Sequence, residues 1–260
     1  MRNEILIGRY FFAIAFLGLG ILHFVFGDFI TGRAPAWPAS VPGKPVWAYL
    51  TGFVIIVIGA TIISGRKART ATVLAGLLIF VWALLRHIPV LAGDSFLSSA
   101  WTQAGKALVF TSGLLVMGAT FPKIESRCKG YILEFVNLER EFILAGRISL
   151  GVFMIICGIQ HFMFTGFVAS LIPDWFPGDA VFWTYFAGVA LIAGGIGLFL
   201  PKTARPASLL SGLMVFSWFW IVHIPRTFAS VSDGIAVFEA LAVSGIALVL
   251  AGCISKDHKL

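Results

Sequence analysis

The sequence predicts an all-α membrane protein with eight transmembrane helices, arranged as two four-helix repeats of the same orientation. Three observations lead to this fold class. Hydrophobic residues make up 59% of the 260 and charged residues only 12%, whereas a soluble domain carries about twice that charge. Apolar runs of about 20 residues, the length that crosses a bilayer, recur along the chain. The second half of the chain also repeats the first.

The apolar runs predict eight spans, which we expect to be helical because lipid offers the backbone no hydrogen-bond partner. The first run resembles a signal peptide, since Arg2 and Arg9 flank its start. Its apolar core is long for a signal peptide and recurs mid-chain, so we interpret it as a retained span. The predicted spans are 8–27, 47–64, 71–91, 106–121, 143–167, 181–200, 207–225 and 235–254.

The repeat is visible in two pairs of segments. "GILHFVFGDF" at 20–29 recurs as "GIQHFMFTGF" at 158–167, and "VWALLRHIPV" at 81–90 recurs as "SWFWIVHIPR" at 217–226. Matches of this kind indicate two copies of one unit. Because four spans per unit is an even number, both units enter the membrane in the same orientation.

The domain boundaries follow from the repeat. We predict a first unit at 1–121, a cytoplasmic linker at 122–142 and a second unit at 143–260. The apolar residues of the linker fall near helical spacing, which fits an interfacial helix.

Positive charge predicts the orientation. Most of the 19 lysines and arginines fall on the side that carries both termini, so both termini are expected in the cytoplasm. This asymmetry accounts for the net charge of +7. No basic cluster is longer than the short "GRKART" at 65–70, so nucleic acid is not an expected partner. The expected partner is the lipid bilayer.

Cysteine spacing predicts neither a disulfide framework nor a metal site. Cys128, Cys157 and Cys253 lie far apart and form no C-x-x-C pair. We interpret them as small buried hydrophobic residues.

Histidines are the candidate functional residues. Each lies a few residues before the outer end of its span, roughly 7–10 Å below the surface. The repeat places four of the five histidines at one level in the outer half of the bilayer, and the fifth, His258, lies in the tail: the four are His23, His87, His161 and His223. Ionisable groups within a membrane are costly and tend to mark function.

The residues around the histidines also recur. Gly20 and Gly158 lie three residues before a histidine, on the same helix face, where small residues permit close approach of a neighbouring helix. Pro89 and Pro225 follow the other two histidines and predict a kink or a helix end.

Two interpretations of the histidines are open. In the structural one, each ring bonds a neighbouring helix or a carbonyl that a proline leaves without its partner. In the functional one, the rings line a site for a quinone or, as a less favoured version, ligate haem b. Arg86 and Arg226 lie at the same level and either extend to the interface or attract an anion. Lys106 and Glu239 carry opposite charges at matching positions, so an ion pair between the halves is one expectation.

The motifs G-I-x-H-F, W-x-Y-x-x-G and H-I-P, with a P-x-W loop, resemble the DoxX-like membrane proteins, here in a tandem form that covers nearly the whole chain. The resemblance implies a subunit or accessory of a quinone-linked redox system in a prokaryotic inner membrane, with a redox partner subunit. An acidic residue common in the family is present only in the second half, as Glu239. Two alternatives remain, a transporter of a small solute or lipid and a structural or assembly protein without a cofactor.

Overall fold

A computed structural model describes residues 2–30, 37–38, 40–123, 138–228 and 233–254, and the regular structure in these ranges is helical. A π-helical turn, Phe219–His223, joins two of the helices. The helices are α1 (Arg2–Phe26), α2 (Lys44–Ser64), α3 (Ala68–Arg86), α4 (Ile88–Gly93), α5 (Ser99–Ala119), α6 (Glu139–Met163), α7 (Thr165–Ala169), α8 (Ala180–Phe199), α9 (Ala204–Trp218), α10 (Ile224–Thr227) and α11 (Gly234–Ile254).

Seven helical segments within the described ranges are long and apolar enough to cross a membrane, which fits an integral membrane protein. They are α1, α2, α3 with α4, α6, α8, α9 through α10, and α11. The predicted fourth span corresponds to α5, which is 21 residues long. Polar residues near its start, including Thr102, Gln103 and Lys106, make α5 less apolar than the others.

The predicted spans coincide with long helices, each of which begins one to seven residues before the predicted start. The helix α5 begins at Ser99 because the Ser98 hydroxyl accepts a hydrogen bond from the Ala100 N–H, an N-terminal cap. The helix α6 begins at Glu139, inside the segment predicted as a linker. Most of that linker, residues 124–137, and the interfacial helix predicted there lie outside the described residues.

The long helices pack in chain order, and the last closes against the first. Side by side lie α1 and α2, α3 and α5, α5 and α6, α6 and α8, and α9 and α11, while α11 packs closely along α1. A Cβ at Gly8 would lie 2.5 Å from the carbonyl oxygen of Gly245, so α1 and α11 are in backbone contact. Each half therefore packs its first long helix on the last helix of the other half.

Ion pairs also join helices of the two halves, at the end of the bundle where α1 and α6 begin. The Arg205 guanidinium on α9 lies 2.8 Å from the Glu4 carboxylate on α1. The Arg69 guanidinium on α3 lies 3.0 Å from the Glu139 carboxylate on α6 and also donates to the Phe121 carbonyl. We call the other end, where α1, α3, α6 and α9 finish, the histidine end.

The predicted ion pair between the halves is confirmed. The Lys106 ammonium on α5 lies 2.9 Å from each carboxylate oxygen of Glu239 on α11. Each side chain is 12% exposed. The helix α11 packs mainly on α1 and α9 and also contacts α5, where this ion pair forms.

The predicted interruptions at the prolines are confirmed, but they differ between the halves. Before Pro89, α3 stops at Arg86 and α4 starts at Ile88, with His87 at the junction. Before Pro225 the chain forms the π-helical turn, in which the Ile224 N–H donates to the Phe219 carbonyl, five residues earlier. The second half thus accommodates one extra residue in a turn at this level.

Candidate functional site

Glycine contacts set the positions of His23 and His161. A Cβ at Gly20 would lie 2.7 Å from the Gly52 carbonyl oxygen, and a Cβ at Gly158 would lie 2.8 Å from that of Gly188. The predicted close approach is therefore present in both halves. One turn further along, the Cβ of His23 lies over Gly52 of α2, and the Cβ of His161 lies over Gly188 of α8.

The His23 ring is enclosed. It is 4% exposed, and its Nδ1 lies 2.8 Å from the carbonyl oxygen of Leu19, one turn earlier on α1. Phe29 packs edge-on against the ring at a centroid distance of 6.3 Å.

The His161 ring repeats the hydrogen bond in a more open setting. Its Nδ1 lies 2.7 Å from the carbonyl oxygen of Cys157. Trp218 of α9 stacks on the ring at 6.3 Å. Unlike His23, His161 is only partly buried.

These hydrogen bonds determine the tautomer of both rings. A backbone carbonyl only accepts hydrogen bonds, so Nδ1 must carry the proton. In a neutral imidazole this leaves Nε2 as an acceptor with a lone pair. Both Nδ1 bonds stay within one helix and do not join it to a neighbouring helix. An Nε2 acceptor can take a proton from a hydroxyl, or ligate a metal ion.

The histidines that precede the prolines have different surroundings. His87 lies at the α3–α4 junction and is 6% exposed. His223 lies in the π-helical turn and is partly exposed.

Arg86 lies among aromatic rings. Its guanidinium carbon is 5.4 Å from the ring centroid of Trp82 and 5.4 Å from that of Trp37, distances at which a cation is attracted to an aromatic face. Phe29 stacks on Trp37 at 4.9 Å and packs on Trp82 at 5.6 Å. We call Phe29, Trp37, Trp82 and Arg86 the aromatic cage. It adjoins His23 through Phe29.

The equivalent positions of the second half do not form a cage. Phe167, 138 residues after Phe29, is 68% exposed, and Trp175, 138 residues after Trp37, is 63% exposed. Phe29 itself is 9% exposed. Only Trp218, the equivalent of Trp82, remains against a histidine.

Arg226 pairs with a carboxylate, whereas Arg86 lies against aromatic rings. Its guanidinium lies 3.4 Å from the Asp233 carboxylate, and both side chains are about one-third exposed. The six predicted site residues thus lie at the histidine end, three in each half of the chain. His23, His87 and Arg86 belong to the first half, and His161, His223 and Arg226 to the second.

Sequence reasoning missed the aromatic rings of both halves at the histidine end. The signal was present, because Trp82, which belongs to the aromatic cage, and Trp218, which stacks on His161, are matched within the repeat. It also missed Gln160, whose amide donates to the carbonyls of Leu97 and Ser98 and accepts from the Thr102 hydroxyl, which joins α6 to the start of α5. Among the described residues, no group of three or more histidine, cysteine, aspartate and glutamate side chains could hold a metal ion.

Comparison with known proteins gives one similarity. Residues 150–251, which run from α6 into α11, match a family described only as a domain of unknown function (DUF8561). No curated protein and no solved structure matched the chain.

Proposed function

We propose that this integral membrane protein is a tandem DoxX-like subunit of a quinone-linked redox system, which binds a quinol at its histidine end. In this proposal eight helices span a prokaryotic inner membrane as two units of the same orientation. Both termini are cytoplasmic, and the histidine end faces outward. A partner redox subunit takes up the electrons.

Matched contacts support the two-unit arrangement. Phe24 stacks on Tyr49 at 5.4 Å with 13° between the ring planes. Phe162 stacks on Tyr185, the equivalent pair, at 5.3 Å and 13°. The glycine contacts described above recur in the same way, and the matched family region falls within the proposed second unit.

Helix packing supports α5 as the eighth span. It lies between α3 and α6, both of which are long and apolar enough to span. Its most polar side chain, Lys106, is paired with Glu239 and faces the protein interior rather than lipid. A paired charge inside a bundle costs far less than one facing hydrocarbon.

The observation that carries the quinol proposal is the pair of Nδ1–carbonyl hydrogen bonds at His23 and His161. A quinol presents hydroxyl donors, which an Nε2 lone pair can accept, whereas the carbonyl of an oxidised quinone requires a donor. Trp218, stacked on His161, adds an aromatic surface suited to a flat ring. The residues therefore fit the reduced form.

Each side chain has a defined role in this proposal. A bound quinol supplies two electrons and two protons when it is oxidised. The partner subunit takes up both electrons. His161 accepts one hydroxyl proton at Nε2, and its bond to the Cys157 carbonyl stabilises the imidazolium that results. The second proton passes to water at the outward-facing histidine end. Arg226 forms an ion pair with Asp233 at the same end, and the carboxylate offsets its charge.

The test is to purify the protein from its membrane, extract it with solvent for quinones and quinols, and record its absorbance spectrum. Recovered quinone or quinol that is lost from His161→Ala protein supports the proposal. A Soret band would show bound haem, and haem ligation would then replace quinol binding as the proposed role of the histidines. A protein free of both, whose histidine variants retain full function, would favour the structural alternative.

A further inference from the structure

The two halves differ at the residue before the second histidine. Arg86 precedes His87, whereas Val222 precedes His223, 136 residues further on. The flanking H-I-P motif and the tryptophan four residues earlier are the same in both. All four residues between the matched tryptophan and histidine differ, as ALLR at 83–86 and FWIV at 219–222, and Arg86 is the one charged residue among them.

In the first half, Arg86 lies between a loop ring and a ring of α3. Its guanidinium lies 5.4 Å from both Trp37 and Trp82, which brings the loop residue Trp37 onto α3. Trp37 in turn stacks on Phe29, and Phe29 covers the edge of His23. One cation thus holds together the rings that bury this histidine.

The second half has no cation at position 222, which is equivalent to Arg86, so its rings have no cationic partner there. Val222 offers no charge, and Trp175 contacts Phe176 of its own loop, at 5.9 Å, instead of α9. Phe167 and Trp175 are exposed, and His161 and His223 keep part of their surface accessible.

We infer that only the second half binds quinol, through His161, Trp218 and His223, and that Arg86 closes the first half as an internal plug. This inference rests on the proposed function and goes beyond it, because it assigns unequal roles to repeats with the same histidines. Arg86 is thereby a residue that blocks a site rather than one that binds an anion.

The first test is chemical labelling of histidine with diethyl pyrocarbonate in the purified protein, quantified residue by residue by mass spectrometry. It needs no activity. We expect His161 and His223 to react well before His23 and His87. In Arg86→Val protein, which copies the second half, His23 should become reactive, while His161 is unchanged.

A matched pair of variants separates the cage from a general loosening of the fold. Trp37→Ala removes a cage ring and should expose His23, as Arg86→Val does. Trp175→Ala removes the equivalent ring of the second half and should leave His23 protected. Equal labelling of His23 and His161 in the wild-type protein, or a His23 that stays protected in both cage variants, would overturn the inference.

The second test counts sites by equilibrium binding of a short-tailed ubiquinol to protein in nanodiscs. Wild type should bind about one ubiquinol per chain and Arg86→Val about two. Two sites in wild type, or one in a well-folded Arg86→Val protein with exposed His23, would overturn the plug. No binding by either protein would overturn the proposed function itself, together with this inference.

Discussion

The Lys106 ammonium lies 2.9 Å from both carboxylate oxygens of Glu239, and this buried contact joins the last helix of one half to the last helix of the other. Both residues are mostly shielded, so neither charge has much water to compensate for the loss of its partner. We therefore expect the pair to matter more than a surface ion pair.

Removal of one partner should destabilise the protein strongly. Lys106→Met or Glu239→Leu leaves a buried charge uncompensated, at a cost of about 3–5 kcal/mol. The double variant removes both charges and should recover most of that loss. Thermal unfolding in detergent measures this, and single and double variants of equal stability would contradict the pairing.

Close helix packing predicts a second result. Gly20→Val and Gly158→Val each place side-chain atoms against a carbonyl oxygen less than 3 Å from the new Cβ, so the neighbouring helix must move. We expect a large loss of folded protein for both. Gly166→Val is the control, because nothing lies within 4 Å of a Cβ at Gly166.

Folded protein is measured by the monodisperse fraction in size-exclusion chromatography. A Gly20→Val protein as well behaved as the Gly166→Val control would show that α1 and α2 are further apart than described.

Gln160 predicts an asymmetry between the halves. Gln160→Leu removes three hydrogen bonds and leaves the Leu97 and Ser98 carbonyls without this donor, so we expect a loss of about 1–3 kcal/mol. The equivalent residue of the first half is Leu22, which packs beside Ile235. Leu22→Gln should also destabilise, because its amide would be buried without matching partners.

Denaturation midpoints of the two variants test this asymmetry. A Gln160→Leu protein as stable as wild type would mean that the hydrogen bonds between α5 and α6 contribute nothing.

Orientation in the membrane is tested by cysteine labelling in a background without native cysteines. Ser40, between α1 and α2, and Lys202, between α8 and α9, are both exposed and lie at opposite ends of the bundle. A membrane-impermeant maleimide should label Ser40→Cys in intact cells, and Lys202→Cys only after permeabilisation. The reverse pattern would place the histidine end in the cytoplasm.

Much of the fold could be predicted because apolar length and repetition are local properties of the sequence. The positions of the long helices, the pair of Lys106 with Glu239 and the interruptions at Pro89 and Pro225 all follow from them. The early start of α5 was missed because its first turns are polar and packed inside the protein, where hydropathy is a poor guide.

The difference in surroundings between the histidines of the two halves could not be predicted from matched motifs. The same H-I-P sequence forms a helix junction in one half and a π-helical turn in the other, because packing decides how the chain accommodates the proline. Neither interpretation of Arg86, extension to the interface or attraction of an anion, included its aromatic partner Trp37, which lies in a distant loop. Sequence spacing does not show that these rings meet.

The most direct measurement of the central claim is the relative affinity of the purified protein for the reduced and oxidised forms of one short-tailed ubiquinone. A proton on Nδ1 of His161 leaves an acceptor for the quinol hydroxyl, so the quinol should bind about tenfold more tightly. His161→Ala should abolish this preference. Equal affinity for the two forms, or tighter binding of the oxidised form, would contradict the account.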